Sequence, residues 1–477
     1  MADGKKMQLR KPGKKSMAII GSSVCNLQCS YCFLHKTSAY AAEDKNIVAA
    51  LKNGLFLSNI SKSLDKMDVK KEDISNIQIW GAETSLHLDL FANLMPQILK
   101  EYKELNSIFF STNMSNDDID KYIVFIDKII ECHDRPFNIS IQISMDGPDS
   151  ILQRTRGTSF DLIHKNLLKL IDYYNNKYMG EVRLNFLYKT TISFEILEEI
   201  CQSKETMIEY VRFFDTAVKD ILYHMRHKNM SWNYVDDMDS IPASPVRPGM
   251  WTSEDGIKVA SWARLWDTID FESLGLKYGT LNLIYELFGS HDEIESIEHL
   301  QHNCGQSIMS LTFRWDGSLM PCTGTFMEDN EDYLNEVKNT NPERYRMAKN
   351  TTKWMIPVLD MPEDELKRVL KLKEDFWKYE NSFQVSILMA AMYEMSNIGQ
   401  ISQIYSKDFD LLYRHALKIL PLVSCAQNNI EMHGDPFLPN LNAIRLMCNG
   451  LLSYFEDIER RRLYGFSPAK TRKQSVI

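Results

Sequence analysis

The sequence predicts an α/β chain: a partial (β/α)6 TIM-like barrel, then a small β-hairpin unit, then a helical C-terminal region. Three observations predict it. From Met17 to about Phe214, short apolar runs alternate with longer amphipathic segments, the rhythm of βα units in a parallel sheet. Around Asp316-Gly317 a turn pair sits between apolar runs, which signals a hairpin. Beyond Met327 the chain becomes helical in pattern and rich in charge.

The strands are expected at residues 17–22, 76–80, 108–112, 138–144, 182–188 and 210–214. Segments such as 90–105 and 160–174 carry apolar residues at three and four spacing, as helices packed on a sheet do. In parallel sheets of this kind ligands bind at the C-terminal strand ends. The loop after the first strand, residues 21–40, therefore lies where a site is expected.

That loop carries Cys25, Cys29 and Cys32 at CxxxCxxC spacing. One short loop can bring three thiolates to a common centre, and soft thiolates suit three irons of a [4Fe-4S] cluster, leaving the fourth iron open. The alternative is three buried or scattered thiols. The arrangement resembles the radical S-adenosylmethionine (SAM) family. In that family the open iron chelates the amino and carboxylate groups of SAM, and the reduced cluster cleaves SAM to a 5'-deoxyadenosyl radical. Tyr31, immediately before the third cysteine, fits the same pattern. The resemblance makes Cys25, Cys29 and Cys32 the catalytic metal ligands.

The later strand ends carry further stretches similar to the family's motifs. The second expected strand ends in Gly81-Ala82-Glu83-Thr84, where small residues let backbone approach a ligand and a carboxylate can accept from an ammonium group. This resembles the family's GGE-type motif for the SAM amino group, with one Gly replaced; alone it is a plain βα turn. Ser111-Thr112-Asn113 resembles the polar end of the family's third strand, and an N-cap or turn is the other reading. Ser144-Met145-Asp146-Gly147-Pro148, then Arg154 and Arg156, resembles SxDGP followed by Arg, which implies Ser144 on the ribose and Arg156, ahead of Arg154, on the carboxylate. By itself Asp146-Gly147-Pro148 reads as a turn. Lys189, Arg212 and Asp215 are expected near the ends of the fifth and sixth strands, without assigned roles. Cys132 and Cys201 are expected to be structural.

Further on, Cys304, Asp316-Gly317 and Cys322 put two thiols on either side of a hairpin that folds one toward the other. The spacing of twelve residues from Cys304 to Gly317 and four from Gly317 to Cys322 resembles the start of the auxiliary-cluster domains called SPASM and twitch. The further cysteine run of a two-cluster SPASM domain is absent, so the resemblance implies one auxiliary [4Fe-4S] cluster. Its ligands would be Cys304 and Cys322, with Cys425 or Cys448 completing the set; His433 is a weaker candidate. A degenerate hairpin without metal is the alternative.

The expected units are a basic N-terminal arm (1–14), the barrel (15–220), a Trp-rich connecting region (221–300), the twitch/SPASM-like hairpin (301–330) and the helical region (331–477). The Trp-rich region and the stripe of Met389, Met392 and Met395 read as packing, and the arginines at 460–462 as cations at a helix end. With 44 % hydrophobic and 25 % charged residues the composition is that of a globular chain, and no run of about 18 apolar residues calls for a membrane. The net charge of -9 gives no footprint for general nucleic-acid binding, leaving only a local basic groove. Nine cysteines without an export signal point to a reducing cytoplasm, where clustered Cys bind metal.

The resemblance implies reductive cleavage of SAM, fed by a donor such as flavodoxin or ferredoxin, then hydrogen abstraction from a substrate carbon. A peptide or protein side chain is the first expectation for substrate. A small molecule, nucleoside or nucleic-acid base is the second, and an iron-sulfur sensor without catalysis the third.

Overall fold

The protein is seen in a computed structural model that describes residues 15–232, 265–276 and 310–371, apart from scattered positions within those spans. Tyr31, Cys304, Cys322, Cys425, Cys448 and His433 lie outside the described residues, as do the stripe of Met389, Met392 and Met395 and the arginines at 460–462.

In chain order the elements are β1 (Lys15–Ser22), α1 (Ser38–Lys52), α2 (Leu55–Lys66), β2 (Ile74–Gly81), α3 (Leu88–Glu101), β3 (Ser107–Thr112) and α4 (Asp120–Cys132). They continue with β4 (Phe137–Ser144), α5 (Asp149–Thr155), α6 (Phe160–Asn175), β5 (Val182–Lys189), α7 (Phe194–Ile200), α8 (Lys204–His224) and β6 (Met230–Trp232). After them come β7 (Ser310–Phe313), β8 (Leu319–Met320) and α9 (Glu331–Thr340). The eight strands lie in one sheet of order β6-β5-β4-β3-β2-β1-β7-β8. Every pairing from β6 to β7 is parallel; β7 with β8 is antiparallel, and Leu319 of β8 also bridges Ile356 antiparallel. From β1 to β6 each strand adds beside its predecessor in one direction. That is the winding of a barrel; a doubly wound sheet reverses and makes a switch point.

Two elements depart from the sequence-based expectation. The sixth strand is Met230–Trp232, and residues 210–214 belong to α8. Tyr210, Val211 and Phe214 form a short apolar run that mimics a strand, but Met207, Ala217, Val218 and Ile221 are buried at the same three and four spacing. A capping box between Ser203 and Thr206 starts the helix ahead of them. Arg212 and Asp215 are therefore helix residues and not strand-end residues. Cys201 follows the last residue of α7 and is buried.

The hairpin forms where Asp316-Gly317 places it, but β7 also pairs along β1, Met17 opposite Leu311, so it extends the barrel sheet. Its tip is tied to α1 and α2: the Trp315 indole donates to Glu43 (2.7 Å) and Ser63 Oγ donates to the Gly317 carbonyl (2.7 Å). Arg314 bonds Asp316 and Asp329, each at 2.7 Å. Burial raises the Glu43 pKa, with Arg314 pulling against it. This holds the end of β8 two residues short of Cys322.

The strands are two-faced. Ile77, Ile79, Ile108, Phe110, Ile139, Ile141 and Ile143 join Phe91, Phe125, Ile126 and Leu167 of the helices in one buried cluster, and Phe110 meets Phe125 edge to face at 5.8 Å. The opposite face carries Asn76, Gln78, Trp80, Ser107, Phe109, Ser111, Ser140, Gln142, Ser144, Asn185, Leu187 and Lys189, most of them half-buried. A filled barrel interior would be bulky and branched; this face is mostly amide and hydroxyl. Among the described residues no helix is long and apolar enough to cross a membrane.

Candidate active site

The loop after β1 is anchored at both ends by residues distant in sequence. At its base Asp44 of α1 accepts from the Ser23 backbone N–H (3.1 Å) and Ser22 Oγ (3.3 Å), while His87 Nε2 lies 2.9 Å from its other oxygen. Burial opposes ionisation of Asp44, but the His87 contact and the Ser23 N–H outweigh it and hold the pKa below the usual carboxylate range. Farther along, the Ser30 N–H donates to the Thr155 carbonyl at 2.7 Å, and the Cys32 N–H to the Cys29 carbonyl at 3.1 Å. Cys25, Cys29 and Cys32 are in no disulfide, and each is half-buried. The Leu27 N–H (3.3 Å) and Asn113 Nδ2 (3.6 Å) both donate to Cys25 Sγ.

The end of β2 lies against the start of this loop. The Ala82 N–H donates to the Ser22 carbonyl and the Glu83 N–H to the Val24 carbonyl, both at 3.0 Å. Gly81 makes that approach with φ 147°, and a Cβ on it would lie 2.2 Å from the Ser22 carbonyl oxygen. Glu83, only 2 % exposed, turns its carboxylate toward the end of β3. It accepts from Thr112 Oγ1 (2.8 Å), the Asn113 N–H (2.8 Å) and the Ser85 N–H (3.1 Å). Thr84 is buried beneath it.

Burial pushes the Glu83 pKa up against those three donors. A raised folded-state value means its stabilising contribution is full below the ordinary value of about 4.3 and is lost as the pH rises through the folded value. Urea midpoints measured from about pH 4 upward should therefore fall for the wild type relative to Glu83→Gln as the pH rises.

The end of β4 is built on a buried ion pair. Asp146 is 0 % exposed and Arg156 6 %. Arg156 Nε and NH2 donate to the two Asp146 oxygens at 2.8 Å each, joined by Thr155 Oγ1 (3.0 Å) and the Thr191 N–H (3.1 Å). Tyr210 donates to the Asp146 carbonyl at 2.6 Å. Arg156 is thus held as a strut between β4, α5 and the end of β5. Arg154 pairs with Glu199. Ser144 sits half-buried at the last position of β4, level with Lys189 at the end of β5. The strand ends therefore bring Gly81, Ala82, Asn113, Ser144 and Lys189 to the same edge of the sheet as the cysteine loop.

The loop's cysteines have the donor chemistry of iron-sulfur ligands. Among the described residues no three His, Cys, Asp or Glu side chains close on one point as a single metal ion requires. A cube asks for less convergence, since each sulfur binds a different iron. Three half-buried cysteines on one tethered loop, one with two N–H donors aimed at its sulfur, suit thiolates and a soft iron site. The residues fit.

Sequence reasoning missed the tethers. Asn26, Asp44, His87, Thr155 and Thr191 carry no local signal, because each acts through a partner far along the chain. Asp146 was legible only as a turn, although an Arg ten residues on was available to pair with it.

No protein-family model matches the chain, and no curated protein does. Solved structures similar to it include anSMEcpe with bound AdoMet and Kp18Cys peptide, at 16 % identity and TM-score 0.33 over 65 % of this chain and 74 % of that one. The same protein with bound AdoMet alone gives 16 % and 0.35 over 65 % and 75 %. Streptococcus suis SuiB bound to S-adenosylmethionine gives 16 % and 0.32 over 73 % and 70 %. At that identity and score the likeness assigns no reaction and no substrate.

Proposed function

We propose that this chain is a radical SAM enzyme, with a [4Fe-4S] cluster on Cys25, Cys29 and Cys32 and SAM across the C-terminal ends of β2 to β5. One observation carries the reading: the CxxxCxxC loop leaves the C-terminal end of β1 and is hydrogen-bonded to the ends of β2, β3 and α5. When bound, the reduced cluster supplies the electron that cleaves SAM to a 5'-deoxyadenosyl radical. The chain's own residues do the rest by position. The backbone at Gly81-Ala82 is the surface for the SAM amino group, with Glu83 and Thr84 bracing it. Ser144 faces the ribose. Arg156 sets the height of the loop through Asp146 and Thr155. Tyr31, as the resemblance implies, belongs to the cofactor-binding set.

The substrate reading is a peptide or protein side chain that enters over the amide- and hydroxyl-bearing face of the sheet. Amide and hydroxyl groups on Gln78, Ser111, Gln142 and Asn185 match the donors and acceptors of a peptide backbone. An auxiliary cluster on Cys304 and Cys322, completed by Cys425 or Cys448, and an external donor such as flavodoxin or ferredoxin complete the proposal. Anaerobically reconstituted protein with dithionite and SAM should release 5'-deoxyadenosine, and Cys29→Ala should abolish it. Release at the wild-type rate from Cys29→Ala, or none from the wild type, contradicts the reading.

A further inference from the structure

Asn113 is buried at the end of β3, and its backbone and side chain are both committed. Its N–H donates to Glu83 at 2.8 Å. Its side-chain oxygen accepts from the Ser115 N–H (2.9 Å) and Ser115 Oγ (2.7 Å). Because the two Ser115 contacts claim the oxygen, the NH2 end must be the one that faces the cysteine loop. There Nδ2 donates to Asn26 Oδ1 at 2.8 Å and to Cys25 Sγ at 3.6 Å. The Leu27 N–H reaches the same sulfur at 3.3 Å.

Resting on the proposed function, we infer that Asn113 is a positioning residue that raises the reduction potential of the loop's cluster, by N–H donation to the Cys25 thiolate. Hydrogen bonds to a ligating sulfur draw off negative charge, and they favour the more negative reduced state over the oxidised one. A donor held from three sides has no freedom to turn away when the cluster's charge changes. The contact spans two strand ends, so the same amide that tunes the sulfur also holds the loop against β3. The residue touches neither SAM nor substrate in this role.

The test is a redox titration followed by electron paramagnetic resonance on the full chain, loaded anaerobically with iron and sulfide. The signal followed is the one that Cys29→Ala removes. Asn113→Leu should bind iron as the wild type does but reach the reduced state at lower potential. At the wild-type midpoint its reduced-to-oxidised ratio should fall about tenfold, a shift of about 59 mV for one electron. The isosteric Asn113→Asp, which cannot donate and adds charge, should fall at least as far. Ser115→Ala, which leaves the donor in place, should not shift. Should both Asn113 variants fail to load, wild-type protein with 15N in its asparagine side chains decides: a weak nitrogen coupling to the reduced cluster supports the inference, and its absence overturns it. An unchanged midpoint in loaded variants overturns this inference and leaves the proposed function standing. A wild-type chain that holds no cluster overturns both.

Discussion

Replacing Asp146 by Ala is expected to destabilise the barrel by roughly 3–5 kcal/mol, the cost of leaving a buried charge without its partner. Arg156, 6 % exposed, would keep its charge with two donors unanswered, and Thr155 Oγ1 and the Thr191 N–H would lose the same acceptor. The effect should reach the site, because the Thr155 carbonyl beside Arg156 receives the Ser30 N–H from the cysteine loop. Denaturant midpoints measure the stability loss, and iron content after reconstitution measures the loosened loop. The double variant Asp146→Leu/Arg156→Met should recover most of the stability, since a matched apolar pair leaves no charge buried. A double variant no more stable than Asp146→Ala would show that the ion pair is not what the single substitution breaks.

Gly81→Ala is the second large effect. The backbone at φ 147° lies in a region that only glycine occupies readily, which costs about 1–3 kcal/mol for any other residue. The clash is additional: the new Cβ would meet the Ser22 carbonyl oxygen at 2.2 Å and the Ser22 nitrogen at 2.8 Å, both backbone atoms of β1. β1 and β2 must separate where the cysteine loop begins. Gly54→Ala supplies the comparison, because Gly54 also has positive φ, 69°, but nothing lies within 4 Å of its Cβ position. It should cost about 1–2 kcal/mol from backbone conformation alone and leave iron binding unchanged. Gly81→Ala should unfold at clearly lower urea and bind less iron. Equal effects at the two positions would remove the close approach of β1 and β2 from the account.

What could be read from the sequence was what neighbouring residues encode. β1 to β5 are dense apolar runs bounded by turns, and each stands within two residues of its expected place. The CxxxCxxC spacing and the Asp316-Gly317 turn are local patterns too. β6 escaped because three residues, Met230–Trp232, carry no period, while Tyr210, Val211 and Phe214 of α8 imitate one. The joining of β7 to β1 escaped because parallel pairing across nearly three hundred residues leaves no mark on either strand. The site divides the same way. Cys25, Gly81 and Ser144 stand in motifs, but the Asn113 to Asn26 bond links residues 87 apart. Asp146 to Arg156 became visible only when α5 turned one onto the other.

Mössbauer spectra of 57Fe-reconstituted wild-type protein, recorded before and after addition of SAM, test the central claim most directly. The account predicts a [4Fe-4S] component that Cys29→Ala removes while the auxiliary-cluster component stays, and in the removed component SAM changes one iron and leaves the three thiolate-bound irons as they were. A wild-type chain without that component, or one whose irons are all indifferent to SAM, would contradict it.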